Sequence, residues 1–186
     1  MNLSFSVSFS SIDEFLNHWA AQYGDLQKDE EMYSKFVGKP LTSESRRKLY
    51  EWKNGLPLST VKAESVEENY PLYFDKNRLR ERFLNPDDKR GGEIWNIFYM
   101  HCIDPDSWPI FDQHVYRAMH FMKNGRMNEI PDGREEIFNT YEHEYVPCFR
   151  SIDACSRKID RALMTFGRFL KPFDKRFRLA ETLRAY

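Results

Sequence analysis

The sequence has no excess of charge of either sign. It contains 28 Lys and Arg residues against 29 Asp and Glu residues, which gives a formal net charge of −1. A basic field over the whole chain, which many nucleic-acid-binding proteins carry, is therefore absent. Any affinity for nucleic acid must come from a local patch.

Long apolar runs and a cysteine framework are absent as well. No stretch approaches the roughly 20 consecutive apolar residues that a membrane-spanning helix needs. Cys102, Cys148 and Cys155 are odd in number and widely spaced, which predicts reduced thiols rather than disulfides. The residues up to Ser11 lack the basic leader and apolar block of a signal peptide. We therefore expect a cytoplasmic protein with no membrane partner.

Motifs for metals and for activated nucleophiles are also missing. No pair among His101, His114 and His120 has the i, i+4 spacing that puts two imidazoles on one helical face. No Gly-x-Ser-x-Gly nucleophile motif occurs. The sequence predicts neither a metal site nor a bound cofactor.

Aromatic residues and helical periodicity are abundant. Aromatic side chains make up 16% of the chain, enough to build a core on large rings. Cap residues, apolar spacings of three and four, and stop signals predict a series of short helices. These helices are expected after Ser10 or Ser11, after Thr42 or Ser43, over 60–69, 75–83 and 93–102, from Asp112 to Asn124, from 137 to Pro147, and from Ser156.

The predicted fold class is all-α, a compact bundle of several short helices. A length of 186 residues suits one globular domain over 1–186 or two lobes, at about 1–85 and 86–186. Residues 93–102 are apolar on nearly all sides, which predicts a buried helix. The preceding residues, 85–92, combine proline, charges and two glycines and predict a loop.

Asp112 occupies the most informative position in the chain. It stands between the apolar run that begins at Trp108 and the start of a predicted helix. A carboxylate there can cap the helix by accepting hydrogen bonds from its first N–H groups. It can also face a pocket and stabilise a developing positive charge. The two roles are compatible.

A glycine-bearing loop, a buried helix and a turn precede the segment Pro109-x-x-Asp112-x-His114-Val115-x-Arg117. This order resembles the helix-hairpin-helix base-excision DNA glycosylases, over about residues 86–120. The resemblance implies a helix-hairpin-helix glycosylase-like fold, double-stranded DNA as the partner, and a hydrolase of base excision repair.

The resemblance implies hydrolysis without lyase chemistry. Family members with lyase activity carry a lysine shortly after the hairpin, and this chain has Glu93 or Ile94 at that place. Neither side chain can form a Schiff base. The predicted enzyme is therefore a monofunctional DNA N-glycosylase that removes a damaged or modified base.

The resemblance also implies a role for individual residues. Asp112 would stabilise the oxocarbenium-like sugar and orient the attacking water. The extruded base would need an aromatic or apolar pocket. The residues implied for DNA binding are Lys89, Arg90, Gly91, Gly92 and His114, and those implied for the base pocket are Trp95, Tyr99, Trp108 and Phe111.

A second interpretation stays open. The near-neutral charge and the atypical hairpin, which has adjacent Gly91-Gly92 where the family usually has Gly-x-Gly, suit a non-catalytic helical module of the same fold. Such a module would bind nucleic acid or a protein partner. The basic residues from Lys171 onward suit either a DNA contact or a solvated end.

Overall fold

Helices account for all regular secondary structure in the described residues. The computed structural model describes residues 7–26, 30–70 and 92–182, and of residues 25–26 and 173–182 it describes the backbone alone. The elements are α1 (Ile12–Ala21), a 3-10 helix (Gln22–Leu26), α2 (Glu30–Phe36), α3 (Ser43–Asn54), α4 (Thr60–Asn69), α5 (Glu93–Ile103), α6 (Gln113–Asn124), α7 (Arg134–Thr140), a π-helical turn (Tyr141–Tyr145), α8 (Val146–Arg150) and α9 (Ser156–Thr182). The all-α prediction is confirmed.

The predicted helix over 75–83 and loop residues 85–91 lie outside the described residues. No helix in the described ranges combines the length and the apolar character that crossing a bilayer would require.

The chain divides into two compact units. Unit 1 combines Met1–Leu26 with Phe111–Tyr186, and unit 2 is the continuous stretch Gln27–Ile110. The chain passes from one unit to the other twice, and the predicted division near residue 85 coincides with neither passage. Unit 1 is therefore built from two segments that are distant in sequence.

The core of unit 1 lies where α9 packs against α1 and α6. The Phe166 ring is central, with centroids 5.1 Å from Phe15 and 5.0 Å from Trp19 on α1, and 5.8 Å from Phe121 on α6. These edge-to-face and tilted contacts confirm a core built on large rings. Met122 on α6 and Phe169 on α9 are large apolar residues that stay exposed, at 38% and 39%.

A π-helical turn connects α7 to α8 in unit 1. It places Tyr141 and Tyr145 against the ring of Phe111, at centroid distances of 5.3 and 5.0 Å, and all three rings are buried. Pro147 was predicted to end or kink this segment. It instead lies in the first turn of α8, where a missing backbone donor is tolerated. The helical path therefore continues past it to Arg150.

The core of unit 2 joins α3 to α5. The Tyr50 ring packs 4.9 Å from Trp95 and 5.2 Å from Phe98, and the Tyr50 hydroxyl donates to the Trp95 carbonyl at 3.0 Å. His101, also on α5, is only 1% exposed. The predicted buried helix over 93–102 is confirmed, with bounds Glu93–Ile103.

The imidazole of His101 connects α5 to two other segments of unit 2. Its Nδ1 lies 2.7 Å from the carbonyl oxygen of Trp108, and its Nε2 lies 2.6 Å from the hydroxyl of Tyr33 on α2. A carbonyl can only accept, so Nδ1 carries a proton and donates it to Trp108, while Nε2 shares a hydrogen bond with the hydroxyl. Both ring nitrogens of this buried histidine are thus engaged.

Side chains cap the N-termini of α1 and α3. The Ser11 hydroxyl accepts from the Glu14 amide, and Thr42 forms a capping box with Ser45. Ser156 is the first helical residue of α9, so its side chain does not cap the helix from outside. The carbonyl of Cys155 accepts the first amide bonds of α9 instead.

Candidate functional site at the head of α6

Asp112 is the N-cap of α6. Its backbone is extended, and its Oδ1 accepts hydrogen bonds from the amides of His114 at 2.8 Å and Val115 at 3.2 Å. The side chain is half-buried. The predicted capping role is confirmed, and it places a negative charge at the positive end of the helix dipole. One oxygen of the carboxylate takes both backbone bonds, which fixes the direction of the whole group.

Helix α9 crosses the head of α6 at Gly167. A Cβ at residue 167 would lie 1.9 Å from the backbone oxygen of His114 and 2.5 Å from its carbonyl carbon. Backbone atoms cannot yield as the end of a flexible side chain can. The two helices therefore touch backbone to backbone, and only glycine permits this approach.

The guanidinium of Arg117 connects α6 and α9 at this crossing. The side chain is 2% exposed, and its Nη1 donates to the Gly167 carbonyl at 3.2 Å. Its Nη2 pairs with Glu129 Oε1 at 3.2 Å, and Glu129 lies on the segment that follows α6. Arg117 thus links α6, α9 and the segment before α7. A buried guanidinium needs such partners, because an unpaired buried charge is costly.

His114 is a half-buried, neutral histidine at neutral pH. Burial is the main cause that lowers its pKa below the ordinary 6.5, and the charges of Arg117 and Lys171 lower it further. The Asp112 carboxylate and the Gly167 carbonyl act in the opposite direction. Its predicted contact with a DNA phosphate stays a prediction, and a neutral imidazole would make it as a hydrogen bond rather than as an ion pair.

The predicted DNA-binding loop lies largely outside the described residues, which include Gly92 but neither Lys89, Arg90 nor Gly91. Gly92 is the exposed N-cap of α5, and its carbonyl accepts from the amides of Trp95 and Asn96. Its φ of −78° suits any residue, so its backbone does not require glycine. Among the described residues beyond its chain neighbours, no atom lies within 4 Å of the place that a Cβ would take.

The four predicted base-pocket residues belong to different units. Trp95, Tyr99 and Trp108 lie in unit 2, and Phe111 lies in unit 1. Tyr99 and Phe111 have no exposed surface, since both rings pack within the cores. Trp95 and Trp108 are half-buried and keep accessible surface. The pocket role of all four stays a prediction.

Two residues at the site were not assigned a role from the sequence. Gly167 stands alone within an amphipathic helical pattern, and an isolated glycine there often signals close packing. Arg117 belongs to the quoted motif, but its partners Gly167 and Glu129 are 50 and 12 residues away in sequence. The isolated position of Gly167 could have indicated close packing from the sequence alone. Nothing in the sequence identifies the partners of Arg117.

Metal ligands and known relatives give no further guidance. Across the described ranges, no three His, Cys, Asp or Glu side chains form a group that could hold a metal ion. No protein-family model, curated protein or solved structure significantly matches the chain. The family resemblance therefore depends on the residues quoted above.

Proposed function

We propose that this protein is a monofunctional DNA N-glycosylase with Asp112 as its carboxylate. The observation that carries the proposal is the place of Asp112: half-buried at the head of α6, within Pro109-x-x-Asp112-x-His114, and oriented by two backbone amides. The substrate would be duplex DNA with a damaged or modified base. The products would be the free base and an abasic site.

Hydrolysis of the N-glycosidic bond requires two functions of a carboxylate. Positive charge builds on the sugar as the bond between C1′ and the base nitrogen breaks, and an adjacent carboxylate stabilises that charge. The carboxylate then accepts a proton from the water that forms the new bond to C1′. The departing base keeps the electron pair of the broken bond and takes up a proton. Because the amides of His114 and Val115 already orient Asp112, little reorganisation is needed during the reaction.

The state of His114 supports this assignment. A charged imidazolium beside the carboxylate would neutralise part of the negative charge that the sugar needs. Burial lowers the pKa of His114, so the imidazole is neutral at neutral pH and leaves the charge of Asp112 in place.

The test is base release from a panel of duplexes that carry deaminated, alkylated or oxidised bases. The variants are Asp112→Asn and, as a matched control, Asp106→Asn, an exposed carboxylate six residues earlier. Asn is about as good an N-cap as Asp, so Asp112→Asn should fold normally. We expect it to lose on the order of 100-fold or more in rate, while Asp106→Asn stays active.

Two outcomes contradict the proposal at different levels. If the wild type releases no base from any duplex of the panel, the enzyme proposal fails. If the wild type and Asp112→Asn release a base at the same rate, the enzyme remains but Asp112 is not its carboxylate.

A non-catalytic binding module is the second candidate, and one observation favours it. Asp112 and Arg117 both have structural roles, in capping α6 and in binding the helix crossing. These structural roles would account for the presence of the motif in a protein without catalytic activity. Salt-dependent duplex binding without base release would identify this module, because phosphate contacts weaken steeply as salt rises.

A further inference from the structure

Lys171 lies one helical turn beyond Gly167 on α9. Residues four apart project from the same side of a helix, about 6 Å apart along its axis. Gly167 is the point at which α9 touches the backbone of His114. The exposed Lys171 side chain therefore leaves α9 on the side that faces the head of α6. Its charge reaches the His114 imidazole and lowers the pKa of that group, in agreement with this placement.

Lys171 is exposed and has no polar partner among the described residues. No hydrogen bond or ion pair joins it to any residue in the part of the chain that the structure describes. Two other lysines of unit 1 differ in this respect, since Lys123 pairs with Glu144 at 3.5 Å and Lys158 with Asp13 at 3.9 Å. Lys171 thus presents an exposed positive charge on the side of α9 that faces the head of α6.

A carboxylate that must approach the sugar of DNA meets an electrostatic obstacle. The phosphates on either side of that sugar are negatively charged, and Asp112 repels them. A cation that pairs with a phosphate, and not with the carboxylate itself, offsets this repulsion and fixes the register of the strand, as phosphate contacts generally do. The flexible stem of a lysine suits this role, because it presents a compact charge to a phosphate oxygen.

We propose that Lys171 binds the DNA backbone phosphate next to the nucleotide whose sugar faces Asp112. This inference rests on the proposed function and adds a positioning residue to it.

The experiment measures fluorescence anisotropy of a labelled duplex that contains a stable abasic-site analogue, from 50 to 200 mM salt. The proteins are the wild type, Lys171→Gln, Lys171→Arg and Lys123→Gln. The Lys123 variant makes the same change in charge at the far end of α6, about 15 Å from its head. We expect Lys171→Gln to bind about five- to tenfold more weakly at low salt, with a slope of log affinity against log salt reduced by about 0.9. Lys171→Arg should keep the wild-type slope, and so should Lys123→Gln.

Each contrary result has its own meaning. If the wild type binds with a clear salt dependence and Lys171→Gln has the same slope, the phosphate contact is overturned and the glycosylase proposal stands. If Lys123→Gln reduces the slope equally, the effect belongs to net charge and the inference is again overturned. If the wild type neither binds duplexes nor releases a base, both proposals fall together.

Discussion

Replacing Gly167 with alanine tests the close crossing of α6 and α9. The added Cβ would lie 1.9 Å from the His114 oxygen, about 1.5 Å short of ordinary van der Waals contact. Because the obstructing atoms are backbone, the helices must separate. That separation also lengthens the 3.2 Å bond from Arg117 Nη1 to the Gly167 carbonyl.

The magnitude follows from three contributions. Overpacking in a filled interior costs about 1–3 kcal/mol. Weakening a buried hydrogen bond from a charged group costs about 1.5–3 kcal/mol. Alanine regains about 1 kcal/mol through its higher helix propensity. We therefore expect the free energy of unfolding to fall by about 3 kcal/mol, the middle of the range.

Urea denaturation followed by circular dichroism measures the change. With a slope of about 2 kcal/mol per M, the midpoint should fall by about 1.5 M. Gly24→Ala is the matched control in the same unit, since no atom of the described residues beyond its chain neighbours lies within 4 Å of its Cβ position. It should change stability by less than about 0.5 kcal/mol. A Gly167→Ala protein as stable as the wild type, or stabilised by its helix propensity, would refute the crossing.

Two further predictions concern a cap and a titrating group. Thr42→Ala removes the side-chain acceptor of the Ser45 amide, so we expect the free energy of unfolding in urea melts to fall by about 1 kcal/mol. Thr42→Ser should stay close to the wild type. Equal losses in both variants would argue against the capping box. The pKa of His114 is lower in the folded protein than its ordinary 6.5, so the unfolded chain binds the proton more readily and stability falls as pH drops below about 6.5. When the pH is lowered from 7.5 to 5.5, the urea midpoint should fall further for the wild type than for His114→Gln. An equal fall in both proteins would contradict the assignment.

Capping residues in the sequence predicted where α3 and α6 begin and end. Thr42 and Gly55 enclose α3, and Asp112 and Gly125 enclose α6, as their capping chemistry predicts. The burial of α5 followed from its apolar residues on every side. These features depend on neighbours within a few residues, and that is the range over which sequence patterns are informative.

Features that depend on distant partners could not be predicted in the same way. The π-helical turn before Pro147 packs Tyr141 and Tyr145 on Phe111, a partner that is far away in sequence. The contact of Gly167 with His114 depends on the crossing of two helices. Asp112 could be predicted as a cap because capping is local, whereas the surroundings that would make it catalytic come from other segments.

The discontinuity of unit 1 has a consequence for synthesis on the ribosome. Phe15 and Trp19 of α1 are translated early, but their partner Phe166 is added near the end of the chain. At typical elongation rates the interval is on the order of ten seconds. During that time the apolar side of α1 has no native partner from α9, while unit 2 is complete in one continuous stretch. Newly made α1 is therefore the segment that a chaperone bound to nascent chains would shield.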